Sequence, residues 1–353
     1  MRNWFLPAVM AILGFLSILT LKSVSPQLAA PQFIFFCLGF AVFFVVSRLS
    51  YQQLEQKRWL IYAGLCVLLV IPLLIGKTTR GIAGWIDIGT LFSIQPSQLA
   101  VLGVGLLTAK ILEVAPPKNL KRLVWPLAVV AIPAVLIVIE PDLGTTVIYI
   151  AAFAVMLFVS PIPSKYLVLL GIASLASLII GWNFLKPYQQ ARITSFVGTS
   201  TNQDASYNAQ QALIAVGSGQ VVGRGIGQGS QSHLRFLPER QTDFIFASLA
   251  EELGFFGGII VISLYAGVVL FCIRVGLRAH HLTERYFCMA AATMIMVQAG
   301  INIGMNMSIL PITGVTLPLL SYGGSSILTV CALFGVIQSI NLHSPVRGVL
   351  HIS

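Results

Sequence analysis

Charge is what this sequence has least of. Of its 353 residues only 9% are Asp, Glu, Lys or Arg, and just 11 are acids, whereas ordinary soluble domains carry roughly 25% charged residues. So low a content excludes a soluble globular domain, and with 57% hydrophobic residues and a mean hydropathy of +0.90 it marks a membrane protein. Cysteine is scarce as well. Cys37, Cys66, Cys272, Cys288 and Cys331 form no CxxC pair and sit near no histidine, so they read as small core residues rather than metal or redox ligands. The histidines add no ligand spacing: His280 and His281 flank arginines, His343 and His351 belong to the tail, and only His233 falls in a polar loop. Long polar stretches are missing too. The longest, 185–243, is too short and glycine-rich to bury much of a core alone, which leaves one integral membrane unit over 1–353 with 185–243 as a long loop on its surface.

What is present is a series of apolar windows of about 20 residues, at 4–22, 32–49, 59–76, 97–115, 122–139, 145–161, 166–184, 246–273, 286–308 and 320–341. The first is long for a secretory signal and SPQLAAP after it has no A-x-A cleavage pattern, so it reads as a retained span. The expectation is an all-α polytopic protein of ten transmembrane helices. Net charge is +10, which in a soluble chain would suggest nucleic acid, but the basic residues lie in short runs between apolar windows, as in loops facing anionic lipid. No nucleic-acid partner is expected. With the N terminus inside, Arg2, Arg48, Lys57, Arg58, Lys110, Lys118, Lys121, Arg122, Lys165, Arg274, Arg278, Arg285 and Arg347 fall on the cytoplasmic side, against Lys22, Lys77 and Arg80 in short outer loops. Lys186, Arg192, Arg224, Arg235 and Arg240 fall in the long loop, which the positive-inside rule governs less. Both termini are therefore expected in the cytoplasm.

The acids follow the opposite distribution. Glu55, Glu113 and Glu284 belong to the cytoplasmic side, whereas Asp87, Glu140, Asp142, Asp204, Glu239, Asp243, Glu251 and Glu252 gather at or near the outer boundary.

Four motifs carry that boundary. GSGQVVGRGIGQG (217–229) lacks the preceding strand and following helix of a nucleotide-binding loop; by spacing it reads as a flexible surface loop, with an anion-approaching turn around Arg224 as the alternative. Ahead of it, DASYNAQQALIAVG offers Asp204 or Ser206 as an N-cap, Ala209, Ala212, Leu213 and Val216 as an interfacial helical face, and Gly217 as a stop. In PERQTDFIFASLAEELG, Asp243 stands about one turn from Glu239, with Glu251 and Glu252 two turns deeper along a helix entering the bilayer, where carboxylates are costly. Asp243 either caps that helix or pairs with Arg240, or it is a partly desolvated general base; Glu251 and Glu252 read as structural partners within the bundle. In IEPDLGTTV, Asp142 reads first as a cap of a tight outer turn and second as a site residue, with Thr145 and Thr146 as further caps. Finally, in NIGMNMSILPITGVTLPLLSYGGSS, Pro311, Gly314 and Pro318 break the helix, and irregular backbone at membrane depth survives only against protein or a wet cavity. Asn302, Asn306, Ser321, Tyr322, Ser325 and Ser326 are the expected lining, while Gly323 and Gly324 serve close packing.

YNAQQALIAVGSG, FLPERQTDFIFASLAEELG and LPLLSYGGSS, in that order, resemble the SEDS family, polytopic proteins of bacterial growth and division of the RodA/FtsW type. The likeness runs from about Trp85 to the last window, and NIGMNMSILPITGV with the short termini looks nearer the RodA, elongation branch. The resemblance implies a peptidoglycan glycosyltransferase of the cytoplasmic (inner) membrane that polymerises lipid II at the outer face, releases undecaprenyl pyrophosphate and works with a class B penicillin-binding protein. It also implies that Asp243, the acid of TDFIF, is essential. The chain departs from the family at QPSQLAV, where Gln98 and Val101 stand in place of a common Glu and Lys, and at Thr316 and Asn208, where Pro and Gln are frequent.

Such a reaction joins a sugar 4-hydroxyl to an anomeric carbon with inversion, so it needs a base behind the hydroxyl and positive charge at the leaving pyrophosphate. Asp243 is the candidate base. The candidate substrate-contacting set is Arg80, Trp85, Asp142, Arg192, Arg224, Glu239, Arg240, Thr242, Ser321, Tyr322 and Ser325, with Arg235 a further loop cation. A divalent cation, Mg²⁺ or Mn²⁺, is the other source of positive charge, and Asp243 as its ligand is the rival role. Two other functions stay open at this point: a transporter of lipid-linked precursor, against which the one-sided placement of the acids argues, and a catalytically weak scaffold for the penicillin-binding protein.

Overall fold

The computed structural model describes residues 4–75, 77–79, 82–88, 92–197, 203–234 and 236–343. Each apolar window falls on a helix. Among the described residues eight helices are long and apolar enough to cross a membrane, and the windows at 59–76 and 145–161 fall on shorter apolar helices, Arg58–Leu74 and Leu143–Val159. In chain order the helices are α1 (Phe5–Val24), α2 (Pro26–Arg48), α3 (Tyr51–Gln56), α4 (Arg58–Ile75), α5 (Ala100–Val114), α6 (Leu120–Ile139), α7 (Leu143–Val159), α8 (Ser164–Gly181), α9 (Pro187–Val197), α10 (Gln203–Ser218), α11 (Ser230–His233), α12 (Ile245–Arg278), α13 (Leu282–Asn306) and α14 (Gly324–His343). Local chemistry sets several boundaries: Ser50 and Gln53 form a capping box on α3, Asn119 Oδ1 accepts from Arg122 N at the start of α6, and Pro26 opens α2.

α13 is the hub, packed against α12, α7 and α5, while α2 lies along α14. Its interior face carries Ala290, Ala291, Ala292, Ile295 and Ala299, all buried, and such small residues let neighbouring backbones approach in a lipid solvent that supplies no hydrophobic drive between helices. The outward faces present large apolar side chains such as Phe15, Leu60, Leu74, Phe158 and Leu270.

Polar groups sort to the two ends of the bundle. At one end Lys110 Nζ lies 2.8 Å from both Glu55 and Glu113, and the Tyr51 hydroxyl donates to the Thr283 carbonyl at 3.3 Å. At the other end gather Asp142, Asp243 and the turn before α14.

That second end holds structure the all-α reading did not anticipate. Between α4 and α5 the chain makes a small antiparallel sheet, β1 (Lys77–Thr79), β2 (Ile82–Ile88) and β3 (Phe92–Ile94), with Asp87 opposite Ser93 and Lys77 opposite Trp85. Stretches of three to seven residues beside long apolar windows give too little alternation to stand out. The described residues of the segment 185–243 contain three helices. α10 starts at Gln203, so Asp204 and Ser206 lie within its first turn rather than ahead of it, and it runs through Gly217. Its packed face is Ala212, Ala215 and Val216 against Leu237, Phe244 and Ala247, whereas Leu213 is exposed.

The largest correction concerns the eighth window. Although α12 spans Ile245–Arg278, Gly254 adopts φ 68°, ψ −163° and splits it in two, a left-handed conformation in which a side chain would be strained. At about 1.5 Å per residue, 255–278 alone is long enough to cross the roughly 30 Å hydrocarbon layer. The segment 245–253 is therefore a separate short helix packed under α10 and α11. Its open end is filled by the glycine-rich loop: Arg224 N and Gly225 N donate to the Glu251 and Glu252 carbonyls at 3.0 and 3.1 Å, while Phe255 N and Phe256 N donate to the Gln220 and Val221 carbonyls at 2.9 and 3.3 Å. Residues 217–229 are thus a strap, not the free surface loop their spacing suggests. A Cβ at Gly223 would stand 2.1 Å from the Glu252 carbonyl oxygen, so no side chain fits where the strap crosses.

Candidate active site

A cavity of about 310 Å³ opens at the acid-bearing end of the bundle. Its wall draws on β2 (Trp85, Asp87), the turn into α5 (Gln95, Ser97, Gln98), the start of α7 (Asp142, Thr145), α9 (Arg192), the turn before α12 (Thr242, Asp243), the 313–316 loop and the turn into α14 (Tyr322, Ser326).

Asp243 is nearly buried, with 8% of its surface exposed, and faces this cavity. Its main chain is pinned from below. Asn302 Nδ2 and Asn306 Nδ2 each donate to the Asp243 carbonyl at 3.0 Å, Asn306 Oδ1 accepts from Ala247 N, and Asn302 also holds the Val315 carbonyl at 2.7 Å. Both asparagines are fully buried, so they support the acid from behind the wall they were expected to line. The α12 N-cap is Phe244, without a side-chain hydrogen bond, so Asp243 does not cap that helix. Ser321 completes the frame: its hydroxyl donates to the Thr242 carbonyl at 2.6 Å and accepts from Leu317 N, and Tyr322 N donates to the Gln241 carbonyl.

Arg192 lines the same cavity, the one basic side chain among the described lining residues. Its Nη1 donates to the Thr313 carbonyl at 3.2 Å. Gly314, at φ 79°, lies between: a Cβ built there would stand 3.6 Å from Asp243 Oδ2 and 3.8 Å from Arg192 Nη1. Acid and cation therefore look onto one space floored by a residue that has no side chain.

Asp142 occupies the third wall. Its Oδ1 accepts from Thr145 N at 2.9 Å, the helix-capping role expected first, and its Oδ2 accepts from Gln95 Nε2 at 2.7 Å. Gln95 Oε1 in turn accepts from Gln98 Nε2 at 2.8 Å, so a chain of amides runs along the wall. Burial pushes the Asp142 carboxyl up, opposed by the Thr145 N–H, Gln95 and the Arg192 charge. Val101 lines the same wall.

Of the residues singled out from sequence, the cavity brings together Trp85, Asp142, Arg192, Thr242, Asp243, Tyr322 and Ser326. Others lie elsewhere. Arg224 belongs to the strap, its Nε donating to the Ser218 carbonyl at 3.2 Å; Arg240 Nε donates to the Val24 carbonyl at 3.1 Å; Glu239 accepts from the Thr242 hydroxyl at 3.1 Å; and Ser325 accepts from Gln95 N at 3.1 Å. Arg80, Arg235, Arg2, Arg347 and His351 lie outside the described residues. Sequence reasoning missed Gln95, Gln298 and Thr313 as wall residues. For Gln95 the signal was an amide beside Pro96 at the mouth of an apolar helix; the other two carry none.

Glu251 and Glu252 have the structural part expected of them, though not at depth in the bilayer. Fully buried Glu251 accepts from Gln231 N at 2.8 Å, Ser232 N at 3.0 Å and the Ser232 hydroxyl; Glu252 accepts from the Ser23 hydroxyl and Gly227 N, with His233 Nε2 at 3.7 Å.

The described residues bring no three carboxylate, His or Cys groups together as a metal cage.

Residues 2–345 match the family model of the FtsW, RodA and SpoVE cell cycle proteins. Peptidoglycan glycosyltransferase MrdB of Escherichia coli (strain K12) is 34% identical over 310 residues, covering 87% of this chain and 83% of that protein. Among solved structures, a chain of a peptidoglycan synthase complex that coordinates polymerization and crosslinking superposes with a TM-score of 0.83 at 29% identity, covering 97% and 98% of the two chains. Thermus thermophilus rod shape determining protein RodA superposes at 0.74 with 26% identity, covering 98% of each. With nearly its whole length matched by the family model and its fold shared with RodA, this chain belongs to the FtsW/RodA/SpoVE family of polytopic membrane proteins, the SEDS family.

Proposed function

We propose that this chain is a peptidoglycan glycosyltransferase that polymerises lipid II into glycan strands. The observation that carries this reading is that Asp243 and Arg192 converge on one cavity beside Gly314, in a chain whose relative MrdB is named for that activity.

The acceptor 4-hydroxyl enters beside Asp243, which takes its proton as the oxygen attacks the donor's anomeric carbon. The bond to undecaprenyl pyrophosphate breaks on the opposite face, giving inversion. Arg192 stabilises the charge growing on the departing pyrophosphate, the task for which a guanidinium fork suits phosphate oxygens. A Mg²⁺ or Mn²⁺ ion would be held by Asp243 together with the substrate's own phosphates, as Mg²⁺ commonly is; it would add positive charge at the leaving group, and the steps above are carried by the chain's own side chains. Trp85, Thr242 and Tyr322 offer faces and hydroxyls for sugar, and Asp142 shapes the wall within reach of the Arg192 charge.

The substrate's polyprenyl tail keeps it in the bilayer, so the site belongs at the interface. We place this end of the bundle at the outer face of the bacterial cytoplasmic membrane and both termini inside. The basic residues at the opposite end, Arg48, Lys57, Arg58, Lys110, Arg274, Arg278 and Arg285, support that orientation. The crosslinking partner is a class B penicillin-binding protein, as the likeness to a chain of a synthase complex supports.

The test is polymerisation of labelled lipid II by purified protein in detergent, with and without the partner, comparing native chain with Asp243→Ala. Polymer from the native chain alone is the expected result. Equal polymer from both would remove Asp243 as base, and lipid movement across liposomes without polymer from either would favour the transporter.

A further inference from the structure

Glu140 closes α6, two residues before Asp142 and behind the cavity wall. Its side chain is fully buried, and neither carboxylate oxygen meets a donor in hydrogen-bond geometry. The buried Ser97 hydroxyl that approaches it is unmatched as well. An ionised carboxylate without donors is strongly disfavoured in such a place. Burial pushes the Glu140 carboxyl up to about 8, the neighbouring Asp142 adds to the rise, and Ser97 opposes it.

Asp142 has what Glu140 lacks. A backbone N–H, the Gln95 amide and the Arg192 charge all favour its ionised form. Where two carboxyls share a site and their surroundings pull them apart, one keeps the proton so that the other can hold the charge, and the two titrate as a pair. Ser97 faces Glu140 from the turn before α5 and Asp142 from the start of α7, and among the described residues no basic group acts on it directly.

We infer that Glu140 is a positioning residue, held as the neutral acid behind the wall, which keeps Asp142 the charged member of the pair and the Gln98–Gln95–Asp142 chain fixed along the cavity. Nothing ties Glu140 to substrate directly; it acts through Asp142. Loss of its proton would set like charges two residues apart, shift Asp142 toward its protonated form and deprive Gln95 of a charged acceptor. For turnover, though not for the protonation state itself, the inference rests on the glycosyltransferase reading.

Two readouts test it on the full-length protein in detergent. Infrared titration of native protein is expected to show the C=O stretch of a protonated carboxyl at neutral pH that fades as the pH passes about 8 and is missing from Glu140→Gln. In lipid II polymerisation, native turnover should fall by about tenfold per pH unit above that midpoint, and Glu140→Gln, which cannot ionise, should flatten that alkaline limb. No protonated band, a band surviving in Glu140→Gln, or an alkaline limb unchanged in that variant would each overturn the inference. Should Glu140→Gln fail to fold, Ser97→Ala removes the hydroxyl that opposes the rise and must move the midpoint upward; an unmoved midpoint overturns it equally. If native protein makes no polymer, the glycosyltransferase reading falls while the infrared result still decides the state of Glu140.

Discussion

Asp243 and the pair Glu251–Glu252 lie within ten residues of each other, the aspartate just before one short helix and the glutamates in its last turn, and they meet opposite fates. Glu251 is wrapped by two backbone N–H groups and a serine hydroxyl, its charge consumed in holding α11, and Glu252 ties the strap to the end of α1. Asp243 has its main chain clamped by two asparagines while its carboxylate looks into a cavity. The same side-chain chemistry thus serves as a fastener at one end of 245–253 and as an addressable group at the other. What separates them is where each carboxylate lies: the Glu251 carboxylate is enclosed by the start of α11, whereas Asp243 lines a cavity and its carbonyl takes the amides of Asn302 and Asn306.

That contrast can be broken or sharpened by substitution. Asp243→Asn preserves shape and should leave the melting temperature nearly unchanged, while polymerisation falls by about 10²- to 10⁴-fold, roughly 3 to 5 kcal/mol of barrier. A large loss of melting temperature would put Asp243 with the fasteners. Glu251→Ala should do the reverse first: the N–H groups of Gln231 and Ser232 lose a charged acceptor, at a cost of about 1.5 to 3 kcal/mol each way such a bond is broken, seen as a lowered thermal midpoint and faster proteolysis of the 217–229 strap. Gly254→Ala strains a left-handed backbone and drives a Cβ to 2.3 Å from Gly223 N, so it should cost about 1 to 3 kcal/mol in the same assay, whereas Gly217→Ala, with open space around it, should cost little. The gentlest probe is pH. The Glu140 carboxyl lies above its ordinary 4.5, at about 8, so the folded state binds a proton that the unfolded state releases. Its contribution to stability is complete below about 4.5 and is lost as pH rises through about 8; Glu140→Gln should remove that slope.

How much of this was readable beforehand follows from which signals are local. The apolar windows and the sorting of acids from bases depend on composition over 20 residues, and they located the helices and the end that carries the site. Asp142 was readable as a cap because the bond it makes spans three residues. Asp243 stood out because its motif is distinctive, but that its carbonyl would be held by Asn302 and Asn306 depends on chain 59 and 63 residues away, beyond any periodicity. The strap deceived for a related reason. Glycines at 219, 223 and 229 look like freedom in one dimension, yet in three they mark where backbone passes within contact of Ala250, Glu252 and Glu251. Arg224, selected as a cation for the substrate, was drawn away by the same crossing. The break at Gly254 was hidden by an apolar run that continues straight through it.

The broken helix also bears on biogenesis. Four peptide groups at the break are answered by residues 220–225, so 245–278 cannot settle as a self-contained span emerging from the insertion machinery. The upstream strap must already be within reach, which makes delivery of one loop a checkpoint for seating the helix that follows Asp243.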